Sequence, residues 1–224
     1  MTAINDIDMQ HYLSTYYLTL PQLSAYSGVD PDEIEHLIYT HCVPPHSYEM
    51  RSMIHFSNPL IEQVAATKTT KYYHRCVVDW IKDAIGLSQT FCLSQVAGIM
   101  REKFNRDFEQ YFGDVKTPGC QGLDQAWTYL MRGIWGICLK ELSVECMAKK
   151  EFARKVVAEI SSHCTIDSIT AQQREQLMDA VSAYNEATLP FDPIFLEHSS
   201  RCREIQAAIT RFQLAIDNRY STSG

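Results

Sequence analysis

Leu18 to Pro44 reads LTLPQLSAYSGVDPDEIEHLIYTHCVP, and this stretch decides the fold class. It spells two short helices joined by a turn. Thr19 stands at an N-cap, Pro21 follows in the first turn, and the first helix runs to Ser27. Gly28 makes the turn. Asp30-Pro31-Asp32-Glu33 then supplies a cap, a proline at the first helical position and a carboxylate at the third. Leu20, Leu23, Val29, Ile34, Leu37 and Ile38 would fill the small core between the two. The spacing suits a helix-turn-helix.

Working outward, helix signals recur and strand signals are few. Leu93, Val96, Met100, Phe104, Phe108 and Phe112 follow steps of three and four. Leu123, Trp127, Leu130, Ile134 and Cys138 repeat the pattern, as do Val144, Ala148, Phe152, Val156 and Ile160. Thr170 with Gln173 reads as a capping box before Leu177, Val181 and Tyr184. Ile205, Ile209, Phe212 and Ile216 line a last helix, and Asn58-Pro59 reads as another helix start. Tyr48 to Phe56 and Thr69 to Tyr73 read as extended and can pair as a two-stranded wing. The run from Lys71 to Ala84 resembles the strand and helix that follow the wing in excisionase-like and MerR-like domains, after an insert of about fifteen residues.

The fold expected is therefore mainly α: a helix-turn-helix-like, winged N-terminal part followed by a C-terminal helical bundle. Gly113 to Gly122, with three glycines and a proline, is the clearest loop. It places a boundary between residues 1–115 and 116–224.

Charge bears on function. The 27 acids and 20 bases leave a net charge of −7. Residues 1 to 50 hold Asp6, Asp8, Asp30, Asp32, Glu33, Glu35 and Glu49, with no lysine or arginine, so they account for all of it. Duplex DNA is bound by neutralising its phosphates. The face of this helix pair that would enter the groove offers Asp32, Glu33, Glu35 and His36 instead. Its expected role is packing or protein contact.

Other classes are excluded by what is missing. There is no Walker loop, GxGxxG, GxSxG, HExxH or CxxC. No apolar run approaches the roughly 18 residues of a membrane helix. MTAINDIDMQ lacks the basic and apolar regions of a secretory signal, so a cytosolic location is expected. The eight cysteines are widely spaced, and are expected to be reduced and mostly buried. No metal and no cofactor are expected, although His198 and Cys202, four apart, share a helical face.

Candidate binding residues are few. Gly133 and Gly136 each cost a helix about 1 kcal/mol relative to alanine. Close approach of a neighbour or a break near Gly133 would offset that; so would a ligand beside Trp127 and Trp135. Ser199, Ser200 and Arg201, with His198, sit at the start of the last helix, where free N–H groups and a guanidinium could hold a small anion. Cys138 has Lys140 and His163 as conceivable neighbours, but reads as structural. No catalytic residue is assigned.

Three segments carry a resemblance: HCVPPHSYEM (His41 to Met50), AWTYLMRGIWGICLKELSVECMAKKE (Ala126 to Glu151) and LPFDPIFLEHSSRCRE (Leu189 to Glu204). They resemble an uncharacterised bacterial family, a domain of unknown function often labelled as natural-product biosynthesis proteins. Trp127, the Gly133 to Cys138 core, Lys150-Glu151 and Pro190-Phe191 to Arg201 carry most of it. The family's proline-histidine pair is replaced here by Asp192-Pro193-Ile194, with the histidine only at His198. The resemblance implies a setting rather than a chemistry.

Three readings follow: a non-catalytic accessory or binding protein whose acidic N-terminal part meets a protein partner or a second copy of itself; a transcription regulator using bases elsewhere, such as Lys68, Lys71 and Arg75; or a small-molecule enzyme using the Trp127, Trp135 and Arg201 region. The first predicts that Asp32→Ala and Glu35→Ala do not weaken binding to duplex DNA at low salt. A loss of micromolar affinity in either variant would contradict the charge argument.

Overall fold

The computed structural model describes residues 6–58, 60–161, 168–190 and 199–214. His163, Cys164, the segment from Phe191 to His198, and Ile216 lie outside them. The described chain is mainly helical, with a small antiparallel sheet of strand order β1-β3-β2.

The opening stretch folds as two helices, α2 (Leu20–Ser27) and α3 (Pro31–Tyr39). Gln22 Oε1 accepts the Thr19 N–H at 2.8 Å, which closes the start of α2. Gly28 ends it at φ 74°, a conformation that costs a residue without Cβ little, and its N–H reaches Ser24 O at 2.8 Å. The Asp30 carboxylate then accepts the Asp32 N–H at 2.9 Å and caps α3. Leu23, Ile34 and Leu37 are fully buried between the helices, while Asp32, Glu33, Glu35 and His36 are exposed.

A helix that the acidic, polar N-terminus did not announce precedes them: α1 (Asp6–Tyr16), followed by β1 (Tyr17–Thr19). Its buried side chains Met9, Tyr12 and Leu13 are too few and too mixed to show a period. Tyr12 and Tyr17 each meet Tyr48 edge to face, with Tyr17 and Tyr48 5.0 Å apart. Burial pushes the Tyr17 phenol far above its ordinary range, and its hydroxyl donates to Gly136 O at 2.9 Å.

The two extended stretches are longer than expected. β2 (Tyr48–Asn58) pairs with β3 (Ile61–His74), and Asn58 lies opposite Ile61. No helix opens at Asn58, which ends β2 opposite Ile61, and most of the supposed insert is strand; Pro59 lies outside the described residues. The reason is that the extended residues on the two sides pair with each other, which a local reading of the sequence does not see. β1 covers β3 only from Tyr72 to His74. Beyond that the pair continues as a ribbon, from Met50 opposite Thr70 to its tip. At about 3.4 Å per residue it runs roughly 27 Å.

α4 (Val77–Ser88) and α5 (Leu93–Phe112) follow, and α5 buries Val96, Met100, Phe104, Phe108 and Phe112 as its stripe predicts. α6 spans Leu123–Leu130 only. The expected continuation to Cys138 breaks at Gly133, with φ 72°, and a short 3-10 turn holds Trp135–Ile137. A Cβ on Gly133 would strike His46 O, and one on Gly136 would strike Ser47 Oγ. Close approach of the Pro45–His46 backbone thus accounts for Gly133, and the Ser47 side chain for Gly136. α7 (Val144–Ser161) and α8 (Ala171–Ala187) pack as a pair, and Gln173 closes a capping box with Thr170. Arg201–Gln206 form a π-turn that runs into α9 (Ala207–Phe212).

The main apolar core runs continuously from Leu18 to Ala148, through the loop at which the sequence suggests a boundary. A second cluster joins α7, α8 and the last helix. Among the described residues no helix is long and apolar enough to cross a membrane.

His74 ties the sheet to the 3-10 turn. Its Nδ1 accepts the Cys76 N–H at 3.1 Å, so Nε2 carries the proton and donates to Leu139 O at 3.0 Å. Burial lowers its pKa from 6.5 to about 4. The unfolded chain therefore binds this proton first, and the contribution present above pH 6.5 is lost as pH falls toward 4. Urea unfolding between those values should show a loss of up to about 3 kcal/mol from this group. His74→Gln should flatten that slope.

Candidate functional site

Lys150 and Glu151 sit on the buried side of α7, 7% and 0% exposed. A buried charge is stable only with partners. Glu151 finds them on three sides: the Gly119 N–H donates to it at 2.8 Å, Arg154 Nη1 at 2.9 Å, and Lys150 Nζ lies 3.5 Å away. Arg154 uses its other edge on Glu204, with Nε donating at 2.6 Å and Nη2 at 2.7 Å. That bidentate pair joins α7 to the π-turn. Both bases are held protonated: burial opposes the charge on each, but Cys138, Tyr184 and Glu151 around Lys150, and the two carboxylates around Arg154, outweigh it.

The cluster also orders the 113–122 loop. A Cβ at Gly119 would lie 2.6 Å from the Glu151 carboxylate, so the loop can bring its N–H to the buried acid only with glycine there.

Lys150 Nζ donates to Cys138 Sγ at 3.2 Å and lies 5.0 Å from the centroid of the Trp135 ring, a cation–π contact. Trp135 itself is buried, with Nε1 donating to Ala126 O at 3.0 Å. The Cys138 backbone is clamped to the end of α8: Leu189 N donates to Cys138 O at 2.8 Å and Lys140 N to Ala187 O at 3.0 Å. The base at the thiol is Lys150; His163, considered from sequence as a neighbour, lies outside the described residues.

Arg201 is inside the protein, 6% exposed. Nη1 donates to Asn185 Oδ1 at 2.6 Å, Nη2 to Thr188 Oγ1 and Leu189 O, and the guanidinium lies 5.0 Å from the Tyr184 ring centroid. The Ser200 and Tyr184 hydroxyls are 3.0 Å apart, and the Cys202 N–H reaches Ser199 Oγ at 3.2 Å. Burial raises the Tyr184 pKa although Lys150 and Arg201 oppose it.

The sequence candidates therefore divide. Trp135, Ser200 and Arg201 converge on the Lys150–Tyr184 cluster. Trp127 stands elsewhere, half-buried against Phe104 at 5.3 Å and Trp80 at 6.5 Å. His198 lies outside the described residues. Lys150, Glu151, Arg154 and Glu204 were not singled out as a charged cluster. The signal was present, because Glu151 falls three residues after Ala148 and seven after Val144, on the apolar face of its own helix.

Chemically, most of the cluster satisfies itself. Its charges hold a loop, two helices and a turn in place. Cys138, half-buried beside a lysine, is its one nucleophilic side chain. Among the described residues no group of three or more His, Cys, Asp or Glu could hold a metal ion. A separate cleft of about 490 Å³ between α4 and α5 presents Asp79, Asp83, Asp107 and Glu141 around Trp80 and Phe104, and none of the sequence candidates lines it.

The chain belongs to a family of unknown function (DUF6058), whose model matches residues 97–213. That span contains the whole Lys150 cluster. No curated protein and no solved structure matches the chain.

Removing one partner of a buried pair strands the other's charge. Glu151→Gln should cost about 3–5 kcal/mol of stability. Glu145→Gln, on the exposed side of the same helix, should leave the melting temperature near wild type. Equal thermal shifts in the two variants would contradict the cluster's role.

Proposed function

We propose that this chain is a non-catalytic accessory protein whose acidic, winged helix-turn-helix-like N-terminal part contacts a protein partner or a second copy of itself. The ribbon of β2 and β3 is the observation that carries this reading. A two-stranded ribbon is marginal alone in water. This one carries exposed apolar side chains: Met53 is 68% exposed, Val64 48%, and Leu60, between the two strands, 95%. Tyr26 and Tyr39 are exposed on α2 and α3 beside the carboxylates of that surface. Exposed apolar and tyrosine side chains on a polar ground favour protein contact.

The bases available for a DNA-binding alternative are largely engaged. Lys71 lies 3.9 Å from Glu35, Arg51 2.8 Å from Glu49, and Arg75 donates to Thr15 O and Ser14 O. Lys68 is left on that strand.

Residues 1–115 would act as the contact part and 116–224 as the body that carries it. The bacterial natural-product setting implied by the resemblance and a cytosolic location belong to this proposal. The seven described cysteines, all free, support a reducing compartment.

Replacing residues 54–66 by Asn-Gly tests the reading, since Met53 and Thr67 already face each other across the ribbon. The shortened chain should keep its far-UV spectrum and melting temperature. It should lose a defined association that the full chain shows by sedimentation and by cross-linking in its host. Unchanged association, or tight binding of duplex DNA that the shortening abolishes, would overturn the proposal.

A further inference from the structure

α7 carries apolar residues on two faces. One is the buried face with Met147 and Val157. The other is the row Ala148, Phe152, Val156 and Ile160, spaced by four; Ala148 is buried, Phe152 rests on Phe112 at 5.3 Å, and Phe152, Val156 and Ile160 are half-buried, their outer edges facing the groove. A helix apolar on two sides has both sides covered when it is in its working state. α8 covers only part of this second row. What remains is a groove of about 630 Å³ between α7 and α8, with Tyr111 at one end and Ala180 and Ala183 on the far wall.

We propose that this groove docks a basic amphipathic helix from a partner protein. Length points to a helix. The groove follows α7 from Glu145 to Ile160, which at 1.5 Å per residue is about 22 Å, or four turns. The alanines at 148, 153, 180 and 183 leave room for leucine-sized side chains spaced three and four apart. Charge points to a basic partner. Glu145 and Glu159 stand near the two ends and Asp179 on the opposite wall. Lys149, the only base among the described residues that line the groove, is already bound to Glu145 at 2.8 Å, and Lys155 reaches Glu159 only at 3.9 Å. A lysine or arginine of the incoming helix would meet Asp179 and Glu159 at the rim while its apolar side fills the floor. The groove lies within the stretch that the family model matches, and on different elements from the ribbon.

The test uses the full chain and two labelled peptides of about 16 residues, with leucines at steps of three and four and either lysine or glutamate between them. Fluorescence anisotropy at physiological salt should show binding of the leucine-lysine peptide only. Ala183→Arg and Asp179→Lys should each weaken it about tenfold, a loss of about 1.4 kcal/mol. Asp32→Lys, on the acidic N-terminal helix, should leave it unchanged, which separates the groove from the general acidity of the chain. No binding of the lysine peptide, equal binding of the glutamate peptide, or wild-type affinity in both groove variants would overturn the proposal. A dimer of the chain in sedimentation that Ala183→Arg dissociates would also overturn it, assigning the groove to a second copy.

Discussion

A carboxylate with no exposure, Glu151, sets the terms for the C-terminal half of this protein. Its burial is tolerable only while Arg154, Lys150 and the Gly119 N–H all face it. Each partner fixes something else. Arg154 fixes Glu204 and with it the π-turn that leads into the last helix. Lys150 fixes Cys138 and the Trp135 ring. Gly119 fixes a loop that composition alone would leave adrift. An apolar residue of similar volume could fill the same space, but it could not hold a loop amide, a turn and a thiol in one arrangement. The charge therefore contributes specificity of arrangement more than net stability, with the network's geometry as the support for that view.

Much of the fold was legible where local chemistry and tertiary packing agree. Thr19, Gly28 and Asp30 fixed the helix pair because caps and left-handed turns act within four residues. The α5 stripe was plain because every third or fourth residue there meets the same core. Legibility failed where distant partners decide. The break after Leu130 depends on a segment some ninety residues away, whose His46 backbone presses on Gly133 and whose Ser47 side chain presses on Gly136. Nothing near Asn58 distinguishes a helix start from a hairpin until the pairing of both flanks is known. In α7 the row at steps of four suggests the core, yet the helix turns every 3.6 residues, so the buried face drifts off it to Met147, Glu151 and Val157. That drift hid the buried ions and exposed the groove. At Arg201 the residue type was noticed, but only the fold shows it directed inward to Asn185 and Thr188.

The molecule thus separates support from contact. The charged side chains that are buried spend their interactions on holding elements together: Lys150 and Glu151 meet each other and Arg154, and Arg201 meets Asn185, Thr188 and Leu189 O. The surfaces left unmatched are of other kinds: an acidic helix with a projecting apolar-tipped ribbon in the N-terminal part, and an acid-rimmed apolar groove in the family-matched part. On the proposed reading, such a protein would present these surfaces to partners through a body stiffened by internal ion pairs.

Hydrogen exchange at the Gly119 amide tests the central claim most directly. The residue sits in a surface loop with exposed neighbours at Lys116 and Pro118, so an unanchored amide there would exchange within seconds to minutes. Held by Glu151, it should instead exchange as slowly as the amides in the middle of α7, and Glu151→Gln should release it while the centre of α5 stays protected. Fast exchange at Gly119 in the wild-type protein would contradict the account.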